Sequence, residues 1–469
     1  MVLRKCDILI PEGNPDPEEA RRLLAERVGE ALSGGGDRGS AGVTRVSVPV
    51  RPVDPFLWLG EQRYGTRLYW SGREDGVEVA AVGAADFHRG EPGELPVLRE
   101  SLGALLAGGD ARTHYYGGLR FDPDGRREER WSAFGGYSFV LPRFELYRDG
   151  AEVELVCNLV LPVDGKRRAE ILEGVEELRF PEGETGGELP TPISRTDSPD
   201  REEWVRGVEA ALSGISGTAL EKVVLARRTE LGFEGELDPL LLVGRLKAAT
   251  PGCFHFYLQP EAGSEAFVGA PPERLYRRDG RSVRSEAVAG TLPRGDSAVS
   301  DRELRDRLLG SEKDRREHGY VRESIREELG PLCRELEVEK GTSEMRLASR
   351  RHLVSGVRGE LREGVTDADL LRALHPTPAV GGYPRGEALR AIRDLEPFDR
   401  GLYAGPVGWI GAGGAEFAVG IRSGLVGRRR LALYSGAGIV SGSDPAAEWE
   451  EVEQKISDFL AVLGLSGRE

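Results

Sequence analysis

The sequence has few cysteines and no long apolar run, and each shortage excludes a class of protein. Its four cysteines, Cys6, Cys157, Cys253 and Cys333, are widely separated without a CxxC pair, which fits neither a zinc site nor a disulfide framework. Free thiols in a reducing cytoplasm are expected instead. No stretch approaches the ~20 apolar residues of a membrane helix, and residues 1–11 carry no hydrophobic core of a secretory signal.

Basic residues are also outnumbered. The chain of 469 residues has 79 acidic and 64 basic side chains, a net charge of −15, which argues against a nucleic-acid partner. With 39% hydrophobic and 30% charged residues, the composition is that of a soluble globular protein with a large core. A small anionic substrate remains compatible with this composition, because local field and net charge are separate matters.

A segment rich in glycine and proline predicts a linker that divides the chain at residues 181–199. It separates an N-terminal α+β half, 1–195, from a C-terminal region, 196–469. The first half predicts helices at 15–33 and Leu95–Leu106 and strands at Thr44–Val50, Phe56–Leu59, Arg67–Trp70, Val77–Gly83, Tyr115–Phe121, Ser138–Leu146 and Glu152–Leu161. The second half predicts a helix from Arg201 capped by Asp200, a long polar helix Ser300–Leu329, and a final helix that starts at Ser443-Asp444-Pro445.

The run His375–Gly382 combines two prolines, two adjacent glycines and one histidine. Proline fixes φ and removes a donor, whereas Gly-Gly permits backbone that side chains forbid. Such a conformationally restricted backbone beside a histidine indicates a loop that lines a site. A stiff connector is the alternative.

Two residues are candidates for proton transfer. Lys222 shares a strand face with Val224 and Ala226, and a desolvated lysine can act as a base. Two prolines fix the direction of Glu273 at the end of an apolar strand, where a carboxyl group can act as a general acid. The alternatives are a strand-end lysine that reaches water and a Glu273–Arg274 surface pair.

Acidic residues on two helices indicate a magnesium site. Asp314 and Glu317 share one helix face, with His318 near them, and Glu448 and Glu451 share a stripe with Lys455 on another helix. Carboxylate oxygens suit an octahedral divalent cation that bridges to a substrate carboxylate. The alternative is that acidic first turns complement the helix dipole.

Two further segments predict an anion-binding surface. Along the predicted strand Phe417–Arg422, Arg422 lies behind small residues, and guanidinium binds carboxylates bidentately. Tyr434–Ile439 predicts a strand that runs into a glycine-rich turn whose N–H groups can hold an anion. Together these features predict a small substrate with several carboxylates.

Taken together, these residues resemble the chorismate-binding enzymes, and among them most closely the isochorismate synthases. The resemblance covers roughly Trp204 to Leu460. Its motifs are Lys-Val-Val-Leu-Ala-Arg at 222–227, Gly-Ala-Pro-Pro-Glu-Arg at 269–274, Ala-Gly-Thr at 289–291, Glu-Lys-Asp-Arg-Arg-Glu-His at 312–318, His-Pro-Thr-Pro-Ala-Val-Gly-Gly at 375–382, Gly-Leu-Tyr-Ala-Gly-Pro-Val-Gly-Trp at 401–409 and Ser-Gly-Ala-Gly-Ile at 435–439.

The resemblance implies that water attacks C2 of chorismate while the C4 hydroxyl leaves. It makes Lys222 the general base and Glu273 the general acid. It places Mg²⁺ on Glu317 and Glu451, with Glu448 and Asp314 nearby or acting through water. The implied substrate contacts are Ala289, Gly290, Thr291, His352, Tyr403, Arg422, Gly436, Ala437, Gly438 and Lys455.

The implied fold is α+β, with two large, mostly antiparallel sheets packed face to face and helices outside. In the family both halves of the chain build that one unit. A monomer or homodimer without a glutaminase subunit is expected. Salicylate synthases share the catalytic residues and are the alternative, but they usually differ at Thr377–Gly382. An inactive relative would be expected to have lost Lys222, Glu273 or a metal carboxylate, and none is lost.

Overall fold

The computed structural model describes residues 13–34, 41–74, 76–94, 102–181, 187–348 and 350–465. These residues contain twenty antiparallel strands. The strands are β1 Gly42–Pro49, β2 Arg67–Ser71, β3 Val77–Gly90, β4 His114–Leu119, β5 Tyr137–Asp149, β6 Glu152–Leu161, β7 Pro192–Ser198, β8 Lys222–Phe233, β9 His255–Gln259, β10 Ala266–Gly269, β11 Arg274–Asp279, β12 Ser282–Pro293, β13 Cys333–Val338, β14 Ser343–Arg346, β15 Arg350–Leu361, β16 Gly382–Tyr383, β17 Pro406–Gly411, β18 Gly414–Val419, β19 Ser423–Gly427 and β20 Arg430–Val440. The helices are α1 Pro17–Gly34, α2 Pro55–Glu61, α3 Arg168–Glu176, α4 Arg201–Gly217, α5 Pro239–Ala249, α6 Ala298–Gly310, α7 Glu312–Leu329, α8 Asp367–Leu374, α9 Arg385–Leu395, α10 Pro445–Lys455 and α11 Ser457–Val462.

The strands form two large sheets that share the long strands β3 and β5. One sheet runs β7-β8-β20-β19-β10-β9-β2-β3-β5-β6-β1. The other sheet begins with residues 137–140 of β5 and continues in the order β4-β17-β18-β11-β12-β15. Phe267 and Tyr434 from the first sheet and Phe139 and Phe417 from the second belong to one buried apolar core. The predicted α+β fold class is confirmed.

Strands from the two halves of the chain pair with each other. β2 pairs with β9 and β4 pairs with β17, so backbone hydrogen bonds cross the predicted boundary at residue 195. Within the predicted linker, Pro192–Ser198 forms β7 against β8, and 182–186 lie outside the described residues. The division into a half at 1–195 and a region at 196–469 stays a prediction.

Outside the site described below, two predicted elements differ from the structure. Phe56–Leu59 is helical, because the Asp54 side chain accepts the N–H groups of Phe56 and Leu57 and proline occupies the first helical turn. The predicted single helix Ser300–Leu329 is divided into α6 and α7 at Ser311, whose side chain caps the second helix. In both cases a local capping signal decides where the helix begins.

Three cysteines, Cys157, Cys253 and Cys333, are buried free thiols. Cys6 and the first part of the predicted helix Leu95–Leu106 lie outside the described residues, and 102–106 are helical. Among the helices that the structure describes, none has both the length and the apolarity needed to cross a membrane.

Candidate active site

A cavity of about 80 Å³ gathers most of the predicted site residues. Of these, Glu273, Ala289, Gly290, Thr291, Glu317, His352, Tyr403, Arg422, Gly436, Glu451 and Lys455 line it. The other lining residues are Val224, Pro272, Val288, Ala379, Val380, Ile421, Tyr434 and Ser435. Lys222, Ala437, Gly438, Glu448 and Asp314 are not in its wall.

Lys222 reaches the cavity through an ion pair with Glu317. Its ammonium donates a hydrogen bond to Glu317 Oε1 at 2.8 Å, and its side chain is fully buried. The alternative of a strand-end lysine in water is therefore wrong. Gly438, on the neighbouring strand β20, leaves room for this pair, because a Cβ there would lie 3.0 Å from Lys222 Cε and closer still to Glu317 Oε1.

The carboxyl group of Glu273 is buried in the cavity wall. Burial raises its pKa from 4.5 to about 8, and the negative charge of Glu286 adds to the rise, while Lys222, Lys455 and Arg73 oppose it. Glu273 therefore carries a proton at neutral pH, as a general acid requires.

The alternative of a Glu273–Arg274 surface pair is wrong. Arg274 is buried and donates instead to Glu286 at 2.8 Å and to Glu416 at 2.9 Å. The two adjacent side chains thus belong to different surroundings, and Glu273 alone lines the cavity.

The predicted metal carboxylates lie around the cavity without forming a compact cluster. Glu451 accepts a hydrogen bond from Lys455 at 2.6 Å, and Glu448, on the same helix α10, is buried. Asp314 packs beside Gly290, whose φ of +67° places it at a break in the β12 ladder. In the described part of the chain, no group of three or more His, Cys, Asp or Glu residues is close enough to hold a metal ion.

Arg422 does not continue the strand that was predicted for Phe417–Arg422. β18 ends at Val419, and Arg422 adopts a φ of +49° beyond it. The Arg422 side chain donates a hydrogen bond from Nη1 to the Lys455 carbonyl at 2.6 Å. Burial, with the nearby charge of Arg350, lowers the pKa of Arg422 to about 9, so it stays cationic at neutral pH.

Tyr403 lies in the same wall, and burial raises the pKa of its hydroxyl to about 12. Its ring stacks on that of Tyr434 with centroids 5.3 Å apart, which fixes its orientation. Arg422 and Tyr403 therefore both retain protons to donate to an anionic substrate.

The glycine-rich turn predicted after Tyr434 is a strand. Gly436, Ala437 and Gly438 lie inside β20 and pair with residues 226 to 224 of β8. The glycines serve by lacking side chains, because a Cβ at Gly436 would lie 3.1 Å from the Tyr403 hydroxyl. The Gly436 carbonyl accepts a hydrogen bond from Lys455 at 2.7 Å.

His352 is a neutral imidazole in the cavity wall. Burial lowers its pKa to about 3. Its Nδ1 lies 3.2 Å from the Gly290 carbonyl, which can only accept, so Nδ1 carries the proton. Nδ1 also lies 3.0 Å from the Thr291 hydroxyl, and among the described residues no partner contacts Nε2. Nε2 is thus a buried acceptor without a hydrogen-bond partner among the described residues.

The loop His375–Gly382 lines the cavity through Ala379 and Val380. His375 points elsewhere: its Nε2 donates to the Phe121 carbonyl at 2.9 Å, and burial lowers its pKa to about 4. His318 is likewise turned away, toward the Ala287 carbonyl. The loop thus contributes apolar surface to the site, and its histidine is structural.

A sequence model of the family described as "Chorismate binding enzyme" matches residues 30–464. The chain belongs to the chorismate-binding enzyme family. Isochorismate synthase 2, chloroplastic, of Arabidopsis thaliana is 36% identical over 460 residues, covering 90% of this chain and 81% of that protein. Isochorismate synthase MenF of Bacillus subtilis (strain 168) is 31% identical over 466 residues, covering 95% of this chain and 98% of that protein. The solved structure of MenF, the menaquinone-specific isochorismate synthase from Escherichia coli, matches with a TM-score of 0.81 at 29% identity, covering 94% of this chain and 99% of that one.

Some residues lining the cavity of this chorismate-binding enzyme were not predicted individually, although strand alternation would have indicated two of them. Val224 is two residues from Lys222 on β8, and Tyr434 is two residues from Gly436 on β20, so each shares a face with a predicted residue. Ile421 had no such local signal, because alternation places it on the face opposite Arg422, and it reaches the wall from the turn that follows β18.

Proposed function

We infer that this chain is an isochorismate synthase, which converts chorismate to isochorismate by attack of water at C2 and loss of the C4 hydroxyl. The observation that carries this is a single cavity bordered by the buried Lys222–Glu317 pair and by the buried carboxyl group of Glu273, whose pKa is raised by its burial. One group accepts a proton and the other supplies one, as the reaction requires. The chain aligns over nearly its whole length with isochorismate synthases, at 36% and 31% sequence identity, and this supports the same reaction.

Each proton has a residue assigned to it. Lys222 takes the proton from the attacking water, and Glu273 gives its proton to the C4 hydroxyl, which leaves as water. Lys222 must be an uncharged amine to accept a proton, so its ion pair with Glu317 has to break first. Arg422 and Tyr403, buried in the cavity wall, donate hydrogen bonds to a substrate carboxylate.

The donor chemistry of the cavity fits Mg²⁺. Glu317 and Glu451 present carboxylate oxygens to the same space, and Mg²⁺ is usually bound through one or two carboxylates, with substrate oxygens and water as its other ligands. Glu317 and Glu451 would hold the ion, with Glu448 and Asp314 near them. When bound, the ion would neutralise the ring carboxylate of the substrate among these glutamates.

The partners and location proposed are those of an enzyme that acts by itself. We expect chorismate as the substrate, no glutaminase subunit, and a monomer or homodimer, which light scattering would distinguish. The buried free thiols support a reducing cytoplasm. The likeness to MenF favours menaquinone over siderophore biosynthesis as the use of the product.

The test is incubation of the purified protein with chorismate and Mg²⁺, with products separated by chromatography and an EDTA control. Isochorismate alone, formed only without EDTA, is expected. Salicylate with pyruvate would instead identify a salicylate synthase. No consumption of chorismate would identify an inactive relative, and turnover unaffected by EDTA would contradict the metal assignment.

A further inference from the structure

The short segment before Glu273 is held in an unusual way. Pro271 and Pro272 have no N–H groups, so this stretch can be anchored only through its carbonyls. The Pro271 carbonyl accepts the Phe254 N–H at 2.9 Å, and the Glu273 carbonyl accepts the Val419 N–H at 3.1 Å. The carbonyl between them belongs to Pro272, and its partner is a side chain.

That side chain is Arg73, from the turn between β2 and β3 in the N-terminal half of the chain. Arg73 Nη1 donates to the Pro272 carbonyl at 2.6 Å. Arg73 is largely buried, with its guanidinium carbon 5.6 Å from the centroid of the Phe254 ring. A residue remote in sequence thus fixes the backbone immediately before the proposed acid.

Arg73 is itself held by Glu286 on β12. Nη1 donates to Glu286 Oε2 at 2.9 Å and Nη2 to Oε1 at 2.5 Å, which is a bidentate pair. Arg274 donates to the same carboxylate at 2.8 Å. On the solvent-exposed side of this cluster, Glu74 Oε1 accepts a hydrogen bond from Arg73 Nη2 at 2.7 Å.

We propose that Arg73 is a positioning residue for Glu273, and that Glu286 orients Arg73 in that role. Neither residue lines the cavity, so both act through Glu273. The proposal rests on the function proposed above, because it takes Glu273 as the acid. It also assigns the N-terminal half a part in the chemistry of the C-terminal region.

The two residues affect the proton of Glu273 in opposite directions. The negative charge of Glu286 raises the pKa of Glu273, and the positive charge of Arg73 lowers it. The other charges that act on it are Lys222 on β8 and Lys455 on α10. Glu317, Glu451, His352 and Arg422 are further ionisable groups in the same cavity wall.

Because Glu286 and Arg73 have opposite effects on the pKa of Glu273, removing each charge should shift that pKa in opposite directions, which makes the test specific. Activity that depends on protonated Glu273 falls as pH rises through its pKa. Glu286→Gln should move this alkaline limb of the kcat/KM profile, which reports the free enzyme, to lower pH, and Arg73→Met should move it to higher pH. Arg73→Met should also lower kcat roughly 10- to 100-fold, because the acid is no longer held in place. Arg73→Lys, which keeps the charge but lacks the planar fork, should lower kcat with a smaller shift of the limb.

Arg278→Met is the matched control, since Arg278 forms a comparable part-buried bidentate pair with Asp367 at 2.7 and 2.8 Å and does not line the cavity. It should leave the limb unchanged. If Glu286→Gln and Arg73→Met shift the limb in the same direction, or shift it no more than Arg278→Met, the proposal is overturned.

A second measurement separates this proposal from the proposed function. Infrared titration of the Glu273 carboxyl band, identified by subtraction of a Glu273→Gln spectrum, follows the same pKa without any turnover. Opposite shifts in Arg73→Met and Glu286→Gln would support the positioning role even if chorismate were not converted to isochorismate. Unshifted titrations would contradict the role, whatever the wild-type reaction proves to be.

Discussion

Gly438→Ala tests whether the Lys222–Glu317 pair must sit where the structure places it. The added Cβ would lie 3.0 Å from Lys222 Cε and closer to Glu317 Oε1, whereas ordinary contacts are 3.4–4 Å. To reach 3.4 Å, Lys222 Cε must move by about 0.4 Å, and Glu317 Oε1 by about 1 Å. Misplacement of reacting groups on this scale costs roughly 10- to 100-fold in rate, or about 1.4 to 2.7 kcal/mol in the activation barrier.

Stability should change little, because the group that is displaced is the mobile end of a side chain. The assay is kcat/KM for chorismate at saturating Mg²⁺, together with Tm by circular dichroism. Gly319→Ala is the matched control: it lies two residues from Glu317 on α7, and its Cβ would contact nothing within 4 Å. A Gly438→Ala enzyme within about threefold of wild type, with an unchanged Tm, would refute the reasoning, since such a change corresponds to well under 1 kcal/mol.

Three further predictions follow from individual groups. Lys222→Ala should abolish turnover while leaving chorismate and Mg²⁺ binding, measured by calorimetry, largely intact; near-normal rates would exclude Lys222 as the base. Because Glu273 must be protonated to act, kcat/KM, which reports ionisation of the free enzyme, should fall as pH rises through about 8; a kcat/KM profile still flat well above 8 would contradict its role as the acid. The pKa of His375 is lowered from 6.5 to about 4, so the unfolded state binds its proton first as pH falls. The free energy of unfolding should therefore decrease from about pH 6.5 to pH 4, and the decrease in urea titrations should be smaller in His375→Gln; an equal slope in both proteins would show that this histidine does not contribute.

Features with local causes were predictable from the sequence. The helix from Arg201 follows from the capping box of Asp200 with Glu203, and α10 follows from Asp444 with Pro445 in its first turn. Alternation placed Lys222 and Val224 on one face of β8; Val224 lines the cavity, and Lys222 pairs with Glu317, which also lines it. Helix Pro55–Glu61 shows the limit of this reasoning, because a short apolar run suits either a strand or a helix until the cap is considered.

The candidate site could be predicted as a set of residues but not as an arrangement. The family motifs identified most of the lining residues, because chemistry restricts which residue types can occupy those positions. Their pairing could not be predicted: Lys222 with Glu317 joins a strand to a helix 95 positions away. Likewise, Gly436 and Gly438 indicated a turn locally, whereas pairing with β8 extends them into a strand.

By itself, the sequence determined the residue types, the local caps and the family to which the chain belongs. Only the tertiary structure decided which charges meet and which are removed from water. Glu273 holds a proton at neutral pH because folding buries it near the charge of Glu286. Arg73 had no motif around it, and it reaches the Pro272 carbonyl only because β2 pairs with β9 and brings the two halves together. Burial and long-range pairing are properties of the folded chain, and no short segment of the sequence contains them.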